Sequence, residues 1–86
     1  MIKKQATFEQ IQIILMERFA IDASKITLSV DLQKELNLDS MDALDLLLAV
    51  NEAFNIRIPE ESLEKIHTID QLVQLVDKKR LKSSLK

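Results

Sequence analysis

Asp39-Ser40-Met41-Asp42-Ala43-Leu44-Asp45-Leu46-Leu47-Leu48-Ala49-Val50-Asn51-Glu52-Ala53-Phe54-Asn55 is the stretch on which the fold turns. Asp39 is a suitable N-cap, and Asp42, three residues on, places an acid in the first turn, where the helix dipole favours it. Apolar residues then recur at helical spacing as far as Phe54. Asn55 stands where a glycine most often stops a helix. The spacing predicts a helix beginning at Asp39 or Ser40 and ending near Phe54.

This helix divides unevenly at about 100° per residue. Ala43, Leu46, Leu47, Val50, Ala53 and Phe54 share one arc and are expected to face the core. The opposite arc holds Asp42, Asp45, Asn51 and Glu52, together with Met41, Leu44 and Leu48. A plain surface helix has no need of three large apolar residues among its acids. Clustered on one face and ringed by carboxylates, they have the make-up of a docking surface. Partial cover of the same arc by neighbouring helices would also account for them.

Downstream, Ile56-Arg57-Ile58-Pro59 reads as extended, because a residue before proline is pushed away from helix. Glu60 to Lys65 has room for a short third helix. Thr68 and Gln71 form a capping box for a last helix whose apolar side is Ile69, Leu72, Val73, Leu75 and Val76. The basic tail, residues 78–86, either extends that helix or frays. Upstream, Thr7 and Gln10 have capping-box spacing, and Phe8, Ile11, Ile14, Leu15, Phe19 and Ile21 predict a first helix over about 7–20. Between the first two helices runs a long connection, 21–38, with Ile26, Leu28, Val30, Leu32, Leu36 and Leu38 spread through it. That pattern suggests a loop pinned across the core, with one helical turn at Leu32–Glu35 after Asp31. A strand at Ile26–Val30 is the alternative, but it has no second strand to pair with.

Composition agrees with an all-α fold. The 86 residues contain no glycine and one proline, whereas strand-rich folds of this size carry many glycine-marked turns. The expected architecture is a four-helix bundle with a long loop between the first two helices and a short third helix. It forms a single domain, folded over about 7–77. There is no cysteine, which removes disulfides and thiolate metal sites. Charges interrupt every apolar run short of membrane-spanning length, and Met1–Gln5 leads into no signal-like segment, so a soluble, cytoplasmic protein is expected. The net charge of −2 is unevenly spread: residues 35–64 carry eight acids and one base. An acidic middle argues against nucleic acid and for basic protein surfaces as partners.

Ser40 lies at the start of the decisive helix, beside the acidic face. A serine nucleophile needs a base, and the only histidine, His67, lies beyond the third helical segment with no further triad member marked. His67 reads as an ordinary loop histidine, and no catalytic residue is expected. A phosphate ester on Ser40 would instead lie against free backbone N–H groups at a helix N-terminus.

The string Asp31-Leu32-Gln33-Lys34-Glu35-Leu36-Asn37-Leu38-Asp39-Ser40-Met41-Asp42 resembles the acyl carrier protein family. The prosthetic-group motif of that family is Asp-Ser-Leu, usually preceded by a leucine-glycine pair and one further residue. Val50-Asn51-Glu52-Ala53-Phe54-Asn55-Ile56-Arg57-Ile58-Pro59 resembles the family's acidic helix end, Phe and Ile-Pro step, and Thr68-Ile69 falls where carriers begin their last helix. The resemblance spans about residues 7–77. It implies a 4′-phosphopantetheine arm esterified to Ser40, beside Asp39, by a phosphopantetheinyl transferase, with acyl groups held as thioesters on the arm's thiol. It further implies docking of acyl-transferring and acyl-modifying enzymes, through basic patches, onto Asp39, Met41, Asp42, Leu44, Asp45, Leu48 and Glu52. A monomer is the default for such a carrier, and the family's bundle core can shelter the cargo.

Three positions depart from the family pattern. Asn37 stands for the usual glycine, where a left-handed backbone is expected and asparagine is the best substitute. Met41 replaces the common leucine, and Asp-Ser-Met also occurs in D-alanyl carriers. Asn51 replaces an acid, which softens the negative face and points to a specialised set of partners. The sequence thus leads to a discrete carrier in fatty-acid or polyketide-type synthesis. An aminoacyl, D-alanyl or peptidyl carrier is the alternative within the class, and an unmodified helical interaction module the alternative outside it.

Overall fold

The computed structural model describes residues 4–84, and the side chains of residues 6–80. Three α-helices, α1 (Lys4–Phe19), α2 (Ser40–Phe54) and α3 (Ile69–Ser84), are joined by loops that contain a 3₁₀ turn at Ala23–Lys25 and a 3₁₀ helix at Glu60–Lys65. The expected third helix is therefore present, in the tighter 3₁₀ form. α3 runs on into the basic tail as far as Ser84; the side chains beyond Arg80, and residues 85–86, lie outside the described residues.

Each boundary has a local cause. α2 starts on Asp39, whose carboxylate accepts from the Asp42 amide at 2.8 Å, while the Asp42 carboxylate accepts from the Asp39 amide at 3.4 Å. It ends at Asn55, whose backbone is left-handed at φ 55°, ψ 48°. α3 starts with the Thr68–Gln71 box: the Gln71 amide donates to Thr68 Oγ1 at 3.3 Å, and Gln71 Oε1 accepts from the Thr68 amide at 3.0 Å. α1 differs from expectation at its start. Lys4, Gln5 and Ala6 are good helix formers and extend it by three residues, so Thr7 is interior and not a cap. Its hydroxyl is fully buried and donates to Asp77 Oδ1, while Arg80 Nη1 donates to it at 3.1 Å. The guanidinium of Arg80 also lies over the Phe54 ring, 5.0 Å from its centre. Ala20 ends α1 in the left-handed region, at φ 55°, with the Ile21 amide reaching back to the Leu15 carbonyl at 3.4 Å.

Leu46, Leu47 and Val50 of α2 meet Ile11 and Leu15 of α1 and Ile69, Leu72, Val73 and Val76 of α3 in one core. Of the six loop residues singled out above, Ile26, Val30, Leu32, Leu36 and Leu38 are buried in it, each worth about 1.5–3 kcal/mol. Leu28 is exposed instead. Its carbonyl accepts from the Asp70 amide at 2.8 Å, and the Leu32 amide donates to the His67 carbonyl at 2.9 Å. The long loop thus lies antiparallel to the entry into α3, with a single bridge between Asp31 and Thr68. No strand forms among the described residues. Asp31 caps the expected helical turn, accepting from the amides of Gln33 (2.9 Å) and Lys34 (2.8 Å). These bonds, the Lys34 amide foremost, hold its carboxyl below the usual range.

Candidate functional site

Ser40 is the first residue of α2 and is exposed. The capping box fixes the helix start beneath it: Asp39 takes the amide of the third helical residue, Asp42. The amides of Ser40 and Met41 find no acceptor among the described residues. They are two of the four donors that every α-helix leaves open at its N-terminus. Asn37, with φ 57°, supplies the left-handed step that turns the loop into this start, as its place in the motif requires.

Behind Ser40 lies a cavity of about 310 Å³, bounded by α2, the 3₁₀ helix, the long loop and the start of α3. Its walls are Leu32, Leu38, Leu46, Leu47, Leu63, Ile66 and Leu72, nearly all buried. Its polar lining, Gln33, Asp39, Ser40, Glu64 and His67, is exposed, which makes the mouth wet and the interior apolar. His67 therefore lies closer to the site than its place in the chain suggests, because the loop–α3 pairing carries it there. No hydrogen bond joins it to Ser40 among the described residues, and its backbone amide is held by Gln71 Oε1 at 2.6 Å. Sequence reasoning missed Gln33, Glu64 and His67 as rim residues; only the antiparallel pairing brings these loops together.

The outer face of α2 carries the expected mixture. Met41 and Leu48 are the most exposed large apolar residues among the described ones, at 79% and 58%. Leu44, Asp42 and Asp45 are half-buried, and Glu52 is exposed. On the opposite arc Leu46, Leu47 and Val50 are buried and Ala43 and Phe54 half-buried, whereas Ala53, expected inside, is exposed. Asn51 also departs from expectation. Its amide is turned onto the backbone of Ile58, donating to the carbonyl at 3.1 Å and accepting from the N–H at 2.9 Å. It thereby fastens the chain leaving α2. No helix among the described residues is long and apolar enough to cross a membrane.

The fold thus sets an exposed serine at a capped helix start, beside an apolar cavity and a helix face that carries Asp42, Asp45 and Glu52. Residues 9–76 match the family described as "Phosphopantetheine attachment site". The chain is similar to the acyl carrier protein of Guillardia theta, 36% identical over 76 residues that cover 88% of this chain and 94% of that protein. It is 37% identical over 76 residues to the acyl carrier protein of Helicobacter acinonychis (strain Sheeba), covering 88% and 97%. With the acyl carrier protein of Trieres chinensis the identity is 35% over 71 residues, covering 83% and 89%. The chain belongs to the phosphopantetheine attachment-site family of acyl carrier proteins, whose prosthetic group is covalently attached. The residues here fit such a group: an accessible hydroxyl, two open amides at a helix N-terminus for an anion, and an apolar cavity alongside.

Proposed function

We propose that Ser40 is the attachment residue and that this chain is a discrete carrier of acyl intermediates in fatty-acid or polyketide-type synthesis. The observation that carries this reading is the apolar cavity of about 310 Å³ opening beside Ser40. It is about twice the ~150 Å³ engineered cavity that takes up benzene. An interior walled by leucines and isoleucine suits a hydrocarbon chain; an amino acid's charged ammonium would be desolvated there without a partner. When bound, the arm supplies a terminal thiol, absent from the chain itself, on which an acyl group rides as a thioester.

The protein's own residues have separable tasks. Ser40 offers its hydroxyl as a substrate, since no base among the described residues is hydrogen-bonded to it. The open amides of Ser40 and Met41 and the α2 dipole stabilise a phosphate ester at that oxygen. Leu46, Leu47, Leu63 and Leu72 exclude water from the cargo. Asp39, Asp42, Asp45 and Glu52, set among Met41, Leu44 and Leu48, receive the basic patches of a phosphopantetheinyl transferase and of acyl-handling enzymes. The charges steer encounter and the apolar residues supply contact area.

Incubation with coenzyme A and a broad-specificity phosphopantetheinyl transferase, followed by intact mass, tests the attachment. One phosphopantetheine adduct is expected, and none on Ser40→Ala. An unmodified wild-type chain, or an adduct that survives in Ser40→Ala, refutes it. Loading with acyl chains of increasing length should then raise Tm until the cavity is full; a flat response, or an equal rise with D-alanine, turns the cargo assignment toward aminoacyl groups.

A further inference from the structure

The docking face carries a cation of its own. Arg18, in the last turn of α1, donates through Nη2 to Asp45 Oδ1 at 2.7 Å, across 27 positions of sequence. Both side chains are about half exposed, at 50% and 45%. Asp45 lies on the outer face of α2 between Met41 and Leu48, so the ion pair stands in the middle of the patch. Asp39 and Asp42 use their carboxylates on backbone amides and keep their charge toward solvent, as does the exposed Glu52. Among these acids, Asp45 is the one already holding a side-chain cation.

We infer that Arg18 is a specificity-determining residue for partner docking: it competes with a partner's cation for Asp45 and repels uniformly basic patches from the centre of the face. The inference rests on the reading of this face as the docking surface. The partner that docks without disturbing this pair presents its basic residues opposite Asp39 and Asp42 at one end and Glu52 at the other, and leaves the middle free of positive charge. A partner that places a lysine or arginine opposite Asp45 must first displace Arg18, and then stands beside the displaced guanidinium. Charges across an interface act on encounter, and like charges brought together disfavour one partner against another. An exposed pair of this kind is worth little to folding, so Arg18 can be changed without unfolding the chain.

The test uses the full chain and a broad-specificity phosphopantetheinyl transferase with a basic docking patch, reading kcat/KM for modification at low and high salt. Arg18→Gln is expected to raise kcat/KM about two- to five-fold at low salt, through KM. The gain should vanish at high salt and shrink in an Asp45→Asn background, where only the repulsion is relieved, and Arg18→Lys should restore the wild-type rate. A rate unchanged or lowered in Arg18→Gln, or a gain of the same size with Asp45→Asn, overturns the inference. Asp42→Lys separates the two levels of the argument. If it leaves modification as fast as in the wild type, the docking reading itself fails. If it slows modification while Arg18→Gln brings no gain, only the role of Arg18 falls.

Discussion

Asn51→Ala removes both hydrogen bonds that fasten the chain between α2 and the 3₁₀ helix, the 3.1 Å bond to the Ile58 carbonyl and the 2.9 Å bond from its amide. Ile58 is 2% exposed, so its backbone groups do not simply return to water. A buried polar group left without a partner costs about 1–3 kcal/mol. The Asn51 side chain is half-exposed, which admits some solvent and places each loss toward the lower end. The expected destabilisation is about 2–3 kcal/mol for the pair. A domain of this size has roughly 4–13 kcal/mol in total, and Tm should fall by about 10–20 °C. Urea and thermal unfolding followed by circular dichroism measure this, with faster amide exchange at Ile58 as the local signature. Asn51→Asp keeps the acceptor but loses the donor, and sets a carboxylate against the Ile58 carbonyl. It should be destabilised at neutral pH and recover in acid, where a protonated carboxyl can donate again. A loss below about 0.5 kcal/mol for Asn51→Ala, the range of ordinary surface substitutions, would refute the clamp.

Ala20→Gly should stabilise the protein by about 0.5–1 kcal/mol, because alanine at φ 55° bears a left-handed penalty larger than the backbone entropy glycine adds to the unfolded chain; a lower urea midpoint would contradict this. Asp31→Ala should lower stability at neutral pH, with a pH dependence of definite sign. The Asp31 carboxyl is held below its ordinary value of 3.8, first by the Lys34 amide and then by the Gln33 amide and the charges of Lys34 and His67, against a smaller opposing effect of burial. Its contribution is therefore complete above 3.8 and is lost as pH falls through the depressed value. Tm of wild type and variant should converge in acid, and a gap constant with pH would rule out the charge as its source.

What the sequence made legible was mostly what acts within four residues. Asp39 with Asp42, Asn55 as a stop, Thr68 with Gln71, and Asp31 over its turn are side-chain-to-backbone bonds whose partners lie close in the chain, and each was found where the spacing put it. The same kind of signal misled at Thr7. There the Thr-x-x-Gln spacing was overridden by three preceding helix formers and by Asp77, which is 70 positions away. Asn51 was read by its charge alone, and its contact with Ile58, seven positions on, carried no sequence signal. The cavity rim joins Gln33, Glu64 and His67 through backbone pairing between 28–32 and 67–70, to which no side-chain pattern points. Arg18 gave no signal at all: its partner is on another helix, and only the packing of α1 beside α2 brings the two together.

The packing of α1 also bears on when the protein is finished. α1 is synthesised before α2 and α3, yet its most extensive contact is with α3. Forty-four residues (84 − 40) separate Ser40 from the end of α3 at Ser84, and a ribosome adds them in roughly 2–9 s. During that interval the Ser40 segment has no α3 to support it, and the cavity lacks its Leu72 wall. Contacts so distant in sequence also carry a loop-closure cost before they contribute. An enzyme that recognises the folded surface around Ser40 would therefore meet that surface only after α3 has been made.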